Sequence, residues 1–320
     1  MTTNQDMLNR AQINRAQGCL LGQVAGDSLG SLVEFQTPEQ IYKTYPNGVR
    51  LLADGGTFNT IAGQPTDDSE MAILLARSLI RERGFKQSAV RNAYVYWLDS
   101  KPFDCGLTIM QGLTGAPNSD SQANGAMMRI SPLGIYGANF NQEQVELWAK
   151  EDARLTHPHE ICVQANALFT GAISLAVRTG IGASDLYAHI VKRAKELHVN
   201  TKLMDIIIEA EQYCPADYVH QEGWVFIAFQ NALYQLNKGR TFEDALINTV
   251  KRGGDTDTNA AICGALLGAV YGVDAVPQQW KTSVLNCRPK HGDPRVKRPR
   301  PESMWPVDIM ELAERLLRMK

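Results

Sequence analysis

Two acidic runs open apolar stretches of this sequence, PTDDSEMA at residues 65–72 and GGDTDTNA at residues 253–260. The first offers Thr66, Asp67 and Asp68; the second offers Asp255, Asp257 and Thr258. Such side chains can cap a helix start, accepting bonds from free backbone N–H groups at the positive end of the helix dipole. Asp67 and Glu70 even have the spacing of a capping box. A cap, however, needs one side-chain oxygen, and each run supplies several. Adjacent carboxylates repel unless a cation lies among them. Oxygen donors with no Cys or His select Mg2+ or Mn2+ over zinc. Four carboxylates and two hydroxyls suffice for two ions about 3.5–4 Å apart. The runs are therefore expected to cap two helices and to face a pair of divalent ions.

The elements that must position these groups read as helices. Apolar residues recur at helical spacing over 70–82, 161–178, 185–197, 203–212, 224–237, 242–251 and 307–319. Long alternating strand patterns are absent, and no linker divides the chain. The expectation is an all-α protein of about a dozen helices in a single domain, 1–320. Two helices carry stripes of small residues every fourth position: Gly18, Gly22, Gly26 and Gly30 in one, Ala260, Gly264, Gly268 and Gly272 in the other. Glycine inside a helix costs roughly 0.5–1 kcal/mol relative to alanine, so a stripe needs a reason. Smooth stripes let two backbones pack closely, and the two helices are expected to pair. Residues 43–65, rich in glycine, read as a loop. The proline-rich basic run 286–302 reads as a solvated surface loop, with anion binding as the alternative.

Composition excludes some classes. The 320 residues are 44% hydrophobic and carry a net charge of −2, which gives no case for a nucleic-acid partner. The N-terminus lacks the apolar core of a signal peptide, and no stretch of about 18 apolar residues suggests a membrane span. Six cysteines show no C-x-x-C pair and no zinc spacing. Buried free thiols in a cytoplasmic protein are expected.

Five motifs, in order, carry a resemblance: GCLLGQVAGDSLGSLVEF (18–35), PTDDSEMA, NGAMMRISPLG (124–134), LTHPH (155–159) and GGDTDTNAAICGALLGA (253–269). Together they resemble the ADP-ribosylglycohydrolase family. The resemblance implies a compact orthogonal multi-helix bundle with a two-metal cleft. It implies two Mg2+ ions, or Mn2+, held by Thr66, Asp67, Asp68, Asp255, Asp257 and Thr258. Ser69 stands where many relatives have threonine, at a position that is not a principal ligand. Glu34 and Asp104 are the implied catalytic carboxylates. Asn124, Gly125 and Met127 lie in the segment that contacts ribose and diphosphate, His157 matches a histidine near ADP-ribose, and Trp224 falls where a relative places an aromatic residue against adenine. The implied activity is removal of ADP-ribose from an ADP-ribosylated protein, with Asp104 favouring an arginine linkage. Serine-linked or O-acetyl-ADP-ribose as substrate, and a non-enzymatic module, are the alternatives. An ADP-ribosylating toxin is a further partner to consider, with the loop around Glu34 and the basic loop as its contact surfaces.

Overall fold

The computed structural model describes residues 4–319, and across them the chain forms fifteen α-helices and no strand. In chain order these are α1 (Asn4–Gly30), α2 (Pro38–Thr44), α3 (Asp67–Glu82), α4 (Gln87–Asp99), α5 (Leu107–Leu113), α6 (Ser131–Gly137), α7 (Gln142–Ala153) and α8 (Glu160–Thr179). They continue with α9 (Ala183–Glu196), α10 (Thr201–Glu209), α11 (Val225–Asn237), α12 (Phe242–Val250), α13 (Thr256–Tyr271), α14 (Gln278–Asn286) and α15 (Ile309–Arg318). The expected all-α class holds, and the expected loop at 43–65 is a loop from Tyr45 on, its first two residues closing α2. The periodic stretches become α3 and α8–α12, and the last of them becomes α15 preceded by a short 3-10 turn at Pro306–Asp308. Short or weakly amphipathic helices such as α2, α5 and α6 lack enough turns to show a period.

The two small-residue stripes meet as expected. α1 and α13 run antiparallel, with Gly18 facing Gly268, Gly22 facing Gly264, Gly26 facing Ala260 and Gly30 facing Asp257. A methyl group on Gly22 would stand 2.5 Å from the Gly264 carbonyl oxygen, well inside van der Waals contact. The contact is backbone on backbone, which only glycine allows. Both helices are buried over most of their shared length, so neither needs an amphipathic pattern. The antiparallel sense delivers the C-terminal end of α1 to the N-terminal end of α13, where Thr256 Oγ1 donates to the Gly30 carbonyl at 2.7 Å.

α3 is tied to the same point. Gln23 on α1 donates to the Met128 and Asp68 carbonyls at 2.9 and 3.4 Å and bonds Ser131 through its oxygen. One side chain thereby binds α1, the start of α3 and the segment before α6. Arg129 in that segment is buried against the Tyr94 ring at 4.3 Å and pairs with Asp152 at 3.2 Å.

One expectation needs correction. The basic loop 286–302 is not wholly solvated: Arg300 is buried and grips Glu70 on α3 through Nε and Nη2 at 2.7 and 2.8 Å. Its proline-rich sequence conceals a buried ion-pair anchor at one end and buried Cys287 at the other. In addition, α8 is long and apolar enough, by length and composition alone, to cross a membrane, but most of it is buried among other helices. All six cysteines are free, and Cys19, Cys162, Cys263 and Cys287 are buried.

Gly22→Leu or Gly264→Leu is expected to destabilise the protein by about 1–3 kcal/mol or more through overpacking, while a leucine at Gly182, which faces open space, costs much less. Chemical denaturation of the three variants checks the difference.

Candidate metal and active site

Three helix ends converge on a pocket of carboxylates. Asp27 comes from α1, Asp68 from the first turn of α3 and Asp257 from the first turn of α13, and one oxygen of each lies within 4.8 Å of the others. A second group, Glu34, Asp104 and Asp257, is equally close. Asp257 belongs to both. Above this floor opens a cleft of about 200 Å3 lined by Glu34, Asp67, Asp104, Asn124, Gly125, Met128, His157, Glu222, Asp255 and Thr258, among others. Among the described residues no Lys or Arg lines it. All six residues expected as metal ligands are buried.

The expected capping is different in detail. Thr66 and Asp255 hold the N-cap positions of α3 and α13, but neither side chain makes a capping bond. Asp67 is already helical, so it forms no capping box, and Glu70 is committed to Arg300 and to Trp97 Nε1 at 2.9 Å. The start of α3 is capped from another helix. Asp27 accepts the Thr66 amide at 3.0 Å, the Thr66 hydroxyl at 3.0 Å and the Ser69 amide at 3.1 Å. Asp27 is the site residue that reading the sequence missed. Its signal, a lone aspartate inside a glycine-striped helix, was on view in GQVAGDSLG.

Buried carboxylates with so few partners resist ionisation. Burial, the leading cause, lifts Asp27 to about 7 and Glu34 to about 10. Asp67, Asp68 and Asp257 stand well above the usual carboxylate range through burial and repulsion from one another and from Glu34 and Asp104. Burial also raises Asp104 and Asp255. Asp68 Oδ1, Asp257 Oδ2 and Glu34 Oε2 are buried with no hydrogen-bond partner. Orphaned acceptors in a field of like charge are what a divalent cation satisfies, and the all-oxygen donor set suits Mg2+ or Mn2+. The residues fit the expected metals: the Asp27, Asp68 and Asp257 triad carries orphaned oxygens on Asp68 and Asp257, and Glu34 and Asp104 approach Asp257 from the cleft.

The remaining expected residues fall around this floor. Glu34 follows the end of α1 and is buried rather than a surface carboxylate. Thr57 Oγ1 holds its carbonyl at 2.9 Å, and Phe35 beside it has φ 64 and bonds the Gly254 carbonyl at 2.9 Å. Asp104 lies outside α5, whose N-cap is Gly106, so its carboxylate is free to face the cleft. Asn124 donates to Asp255 at 2.6 Å and fixes that carboxylate. A methyl on Gly125 would meet His157 Cε1 at 3.0 Å, so this glycine makes room for the histidine. His157 caps nothing. Burial, aided by Arg129, lowers it to about 3, so the ring is neutral. Its Nδ1 meets Thr156 Oγ1 at 2.8 Å, and its Nε2 has no partner. Met127 is a correction: it is buried in the core, and its neighbour Met128 lines the cleft instead. Trp224 lines a wider groove that shares Ala123, Glu222 and Gly223 with the cleft, its Nε1 bonded to Gln122 at 3.0 Å.

The chain is similar to known proteins in sequence and in fold. The sequence profile of the family described as ADP-ribosylglycohydrolase matches residues 8–320. The chain is 33% identical over 277 residues to the ADP-ribosyl-(dinitrogen reductase) glycohydrolase of Rhodospirillum rubrum, covering 83% of this chain and 89% of that one. It is 26% identical to the ADP-ribosylarginine hydrolase Tri1 of Pseudomonas putida, covering 85% and 74%, and 27% identical to the ADP-ribosylhydrolase ARH3 of Homo sapiens, covering 85% and 89%. A solved structure titled ADP-ribosylglycohydrolase-related protein complex superposes with a TM-score of 0.80 at 25% identity, covering 97% of this chain and 99% of the other.

Mg2+ or Mn2+ is expected to raise the melting temperature. At a hundred times Kd one bound ion stabilises by about 2.7 kcal/mol, several degrees for a chain of this size. Protons compete for the same oxygens, so the gain should shrink as pH falls. Asp257→Ala, which breaks both triads, should fold yet lose most of the cation-dependent shift; scanning calorimetry with and without metal checks it.

Proposed function

The chain belongs to the ADP-ribosylglycohydrolase family, a family of ADP-ribosyl hydrolases, and we propose that it removes ADP-ribose from arginine side chains of modified proteins in a divalent-metal-dependent reaction. The observation that carries this reading is the acidic double triad beneath a cleft with no cation of its own. Asp27, Asp68 and Asp257, with Thr66, Asp67, Asp255 and Thr258 around them, would hold the ions. When bound, divalent ions there orient the ribose hydroxyls and acidify water.

The chain's own groups supply the rest. Bond cleavage at the anomeric carbon develops oxocarbenium charge, which the carboxylates of the cleft stabilise. Asp104 faces the guanidinium of an arginine linkage and can accept two parallel hydrogen bonds from it. Glu34, whose raised affinity for a proton comes from burial and then from Asp104 and Asp255, can hold a proton taken from water and return it to the leaving nitrogen. Neutral His157 offers Nε2 to a hydroxyl or phosphate oxygen. Trp224 lines the wider groove, where its ring could stack on adenine. The products are ADP-ribose and unmodified arginine.

EDTA is expected to abolish ADP-ribose release, and Mg2+ or Mn2+ to restore it. ADP-ribosyl-arginine should turn over faster than ADP-ribosyl-serine, because a serine oxygen gives Asp104 no cation to pair with. Asp104→Asn should lose most arginine activity, on the order of 10²-fold or more for a proton-transfer or pairing group, and still bind ADP-ribose. Steady-state kinetics of Asp104→Asn and Glu34→Gln on both linkages separates the two roles. Equal turnover of both linkages by the native protein would overturn the arginine assignment.

A further inference from the structure

The cleft chemistry makes no use of the basic loop 286–302. That loop holds six Lys or Arg residues and two acids, in a chain whose net charge is −2. Arg300 is spent on Glu70, and Arg295 pairs with Asp293 at 2.9 Å. Among the described residues, Arg288, Lys290, Lys297 and Arg298 have no carboxylate within ion-pair distance, and all four are exposed. Like charges crowded on one loop repel, and these four have no paired carboxylate to offset it.

The loop is also placed beside the cleft. Arg298 Nε donates to the Phe58 carbonyl at 2.9 Å, and its guanidinium lies 6.0 Å from the centre of the Phe103 ring. Phe103 packs at a tilt against Phe58, ring centroids 5.4 Å apart, and directly precedes Asp104 in the cleft wall. Gln64 Nε2 holds the Arg298 carbonyl at 2.6 Å, two residues before Thr66. The loop is thus fixed at its C-terminal side while Lys290 and Lys297 project outward. Through Phe103 the loop's Arg298 adjoins the wall of the acidic cleft.

We infer that this loop docks an acidic stretch of the protein that carries the ADP-ribosyl group, next to the modified side chain. The inference rests on the proposed hydrolysis of protein-linked ADP-ribose and names its substrate class: modified arginines in acidic surroundings. A cationic rim steers an acidic partner and lowers KM without touching the bond that breaks. It also screens the acidic target from the carboxylates within the cleft.

Three peptides test it, each with a central ADP-ribosyl-arginine flanked by aspartates, serines or lysines. The native protein should favour the aspartate peptide by about tenfold in kcat/KM, mostly through KM, and the preference should fade with added salt. Lys290→Glu/Lys297→Glu should lose or invert the order while turnover of free ADP-ribosyl-arginine stays unchanged. Lys290→Gln/Lys297→Gln serves if the reversal impairs folding. No preference in the native protein, or an equal loss on free ADP-ribosyl-arginine, overturns the inference and leaves the proposed reaction standing. No hydrolysis of any substrate by the native protein overturns both. Inhibition by a single-stranded oligonucleotide that the variant escapes, with no order among the peptides, assigns the loop to nucleic acid and overturns it as well.

Discussion

Everything in the site depends on two backbones touching. α1 and α13 approach so closely that the carbonyls of one meet the α-carbons of the other, and this is possible only along a line of glycine and alanine. A looser pair could be held by side chains that flex. A backbone contact cannot slide without breaking at every step of the stripe, so the axial register of the two helices is fixed. Gly30 lies against Asp257, which places the last turn of one helix on the first turn of the other. Register therefore sets where Asp27 stands relative to Asp257, and Asp27 in turn sets where α3 begins.

The second constraint opposes the first. Packing concentrates carboxylates where burial makes their charge expensive and their neighbours make it worse. The structure answers locally, by giving each acid a fixed orientation without neutralising it. Asn124 holds Asp255, amides of α3 hold Asp27, and the amide of Thr258 holds one oxygen of Asp257 at 2.9 Å. The opposite treatment is given to Glu70, two residues beyond Asp68, which receives a full counter-charge from Arg300. Within a single turn of α3, an acid neutralised within the protein thus sits next to acids left open toward the cleft.

How much of this could be read in advance varies with the kind of signal. The helix class, the meeting of the stripes and the two acidic runs were legible because each is a local pattern with a physical cost that demands a reason. Glu34, Asp104 and His157 were found through motif resemblance, and all three line the cleft. Asp27 was not, because a single aspartate in an apolar helix has no period and its bonds reach residues 39 and 42 positions away. The capping box at Asp67 failed for the same reason: sequence shows which residues could cap a helix but not that another helix already does so. Met127 and Met128 are neighbours in a turn before α6, and their order in sequence does not say which faces the cleft. Arg300 looked like one more cation in a proline-rich run until its buried partner, 230 residues away, was in view.

That reach along the chain has a consequence for how the molecule comes to exist. α1 is synthesised first, yet the residues that pair with its C-terminal end are 226 positions later. At ordinary rates of translation, about 5–20 residues per second, its bare stripe waits on the order of ten seconds to a minute for a partner. The interval is long compared with helix formation and collapse, so earlier segments have time to gather without it. Contacts this distant in sequence slow folding, and the site cannot mature piece by piece as the chain emerges. Activity should therefore appear late and all at once, after α13 has arrived. A nascent chain halted before residue 256 would carry most of its helices and no working cleft.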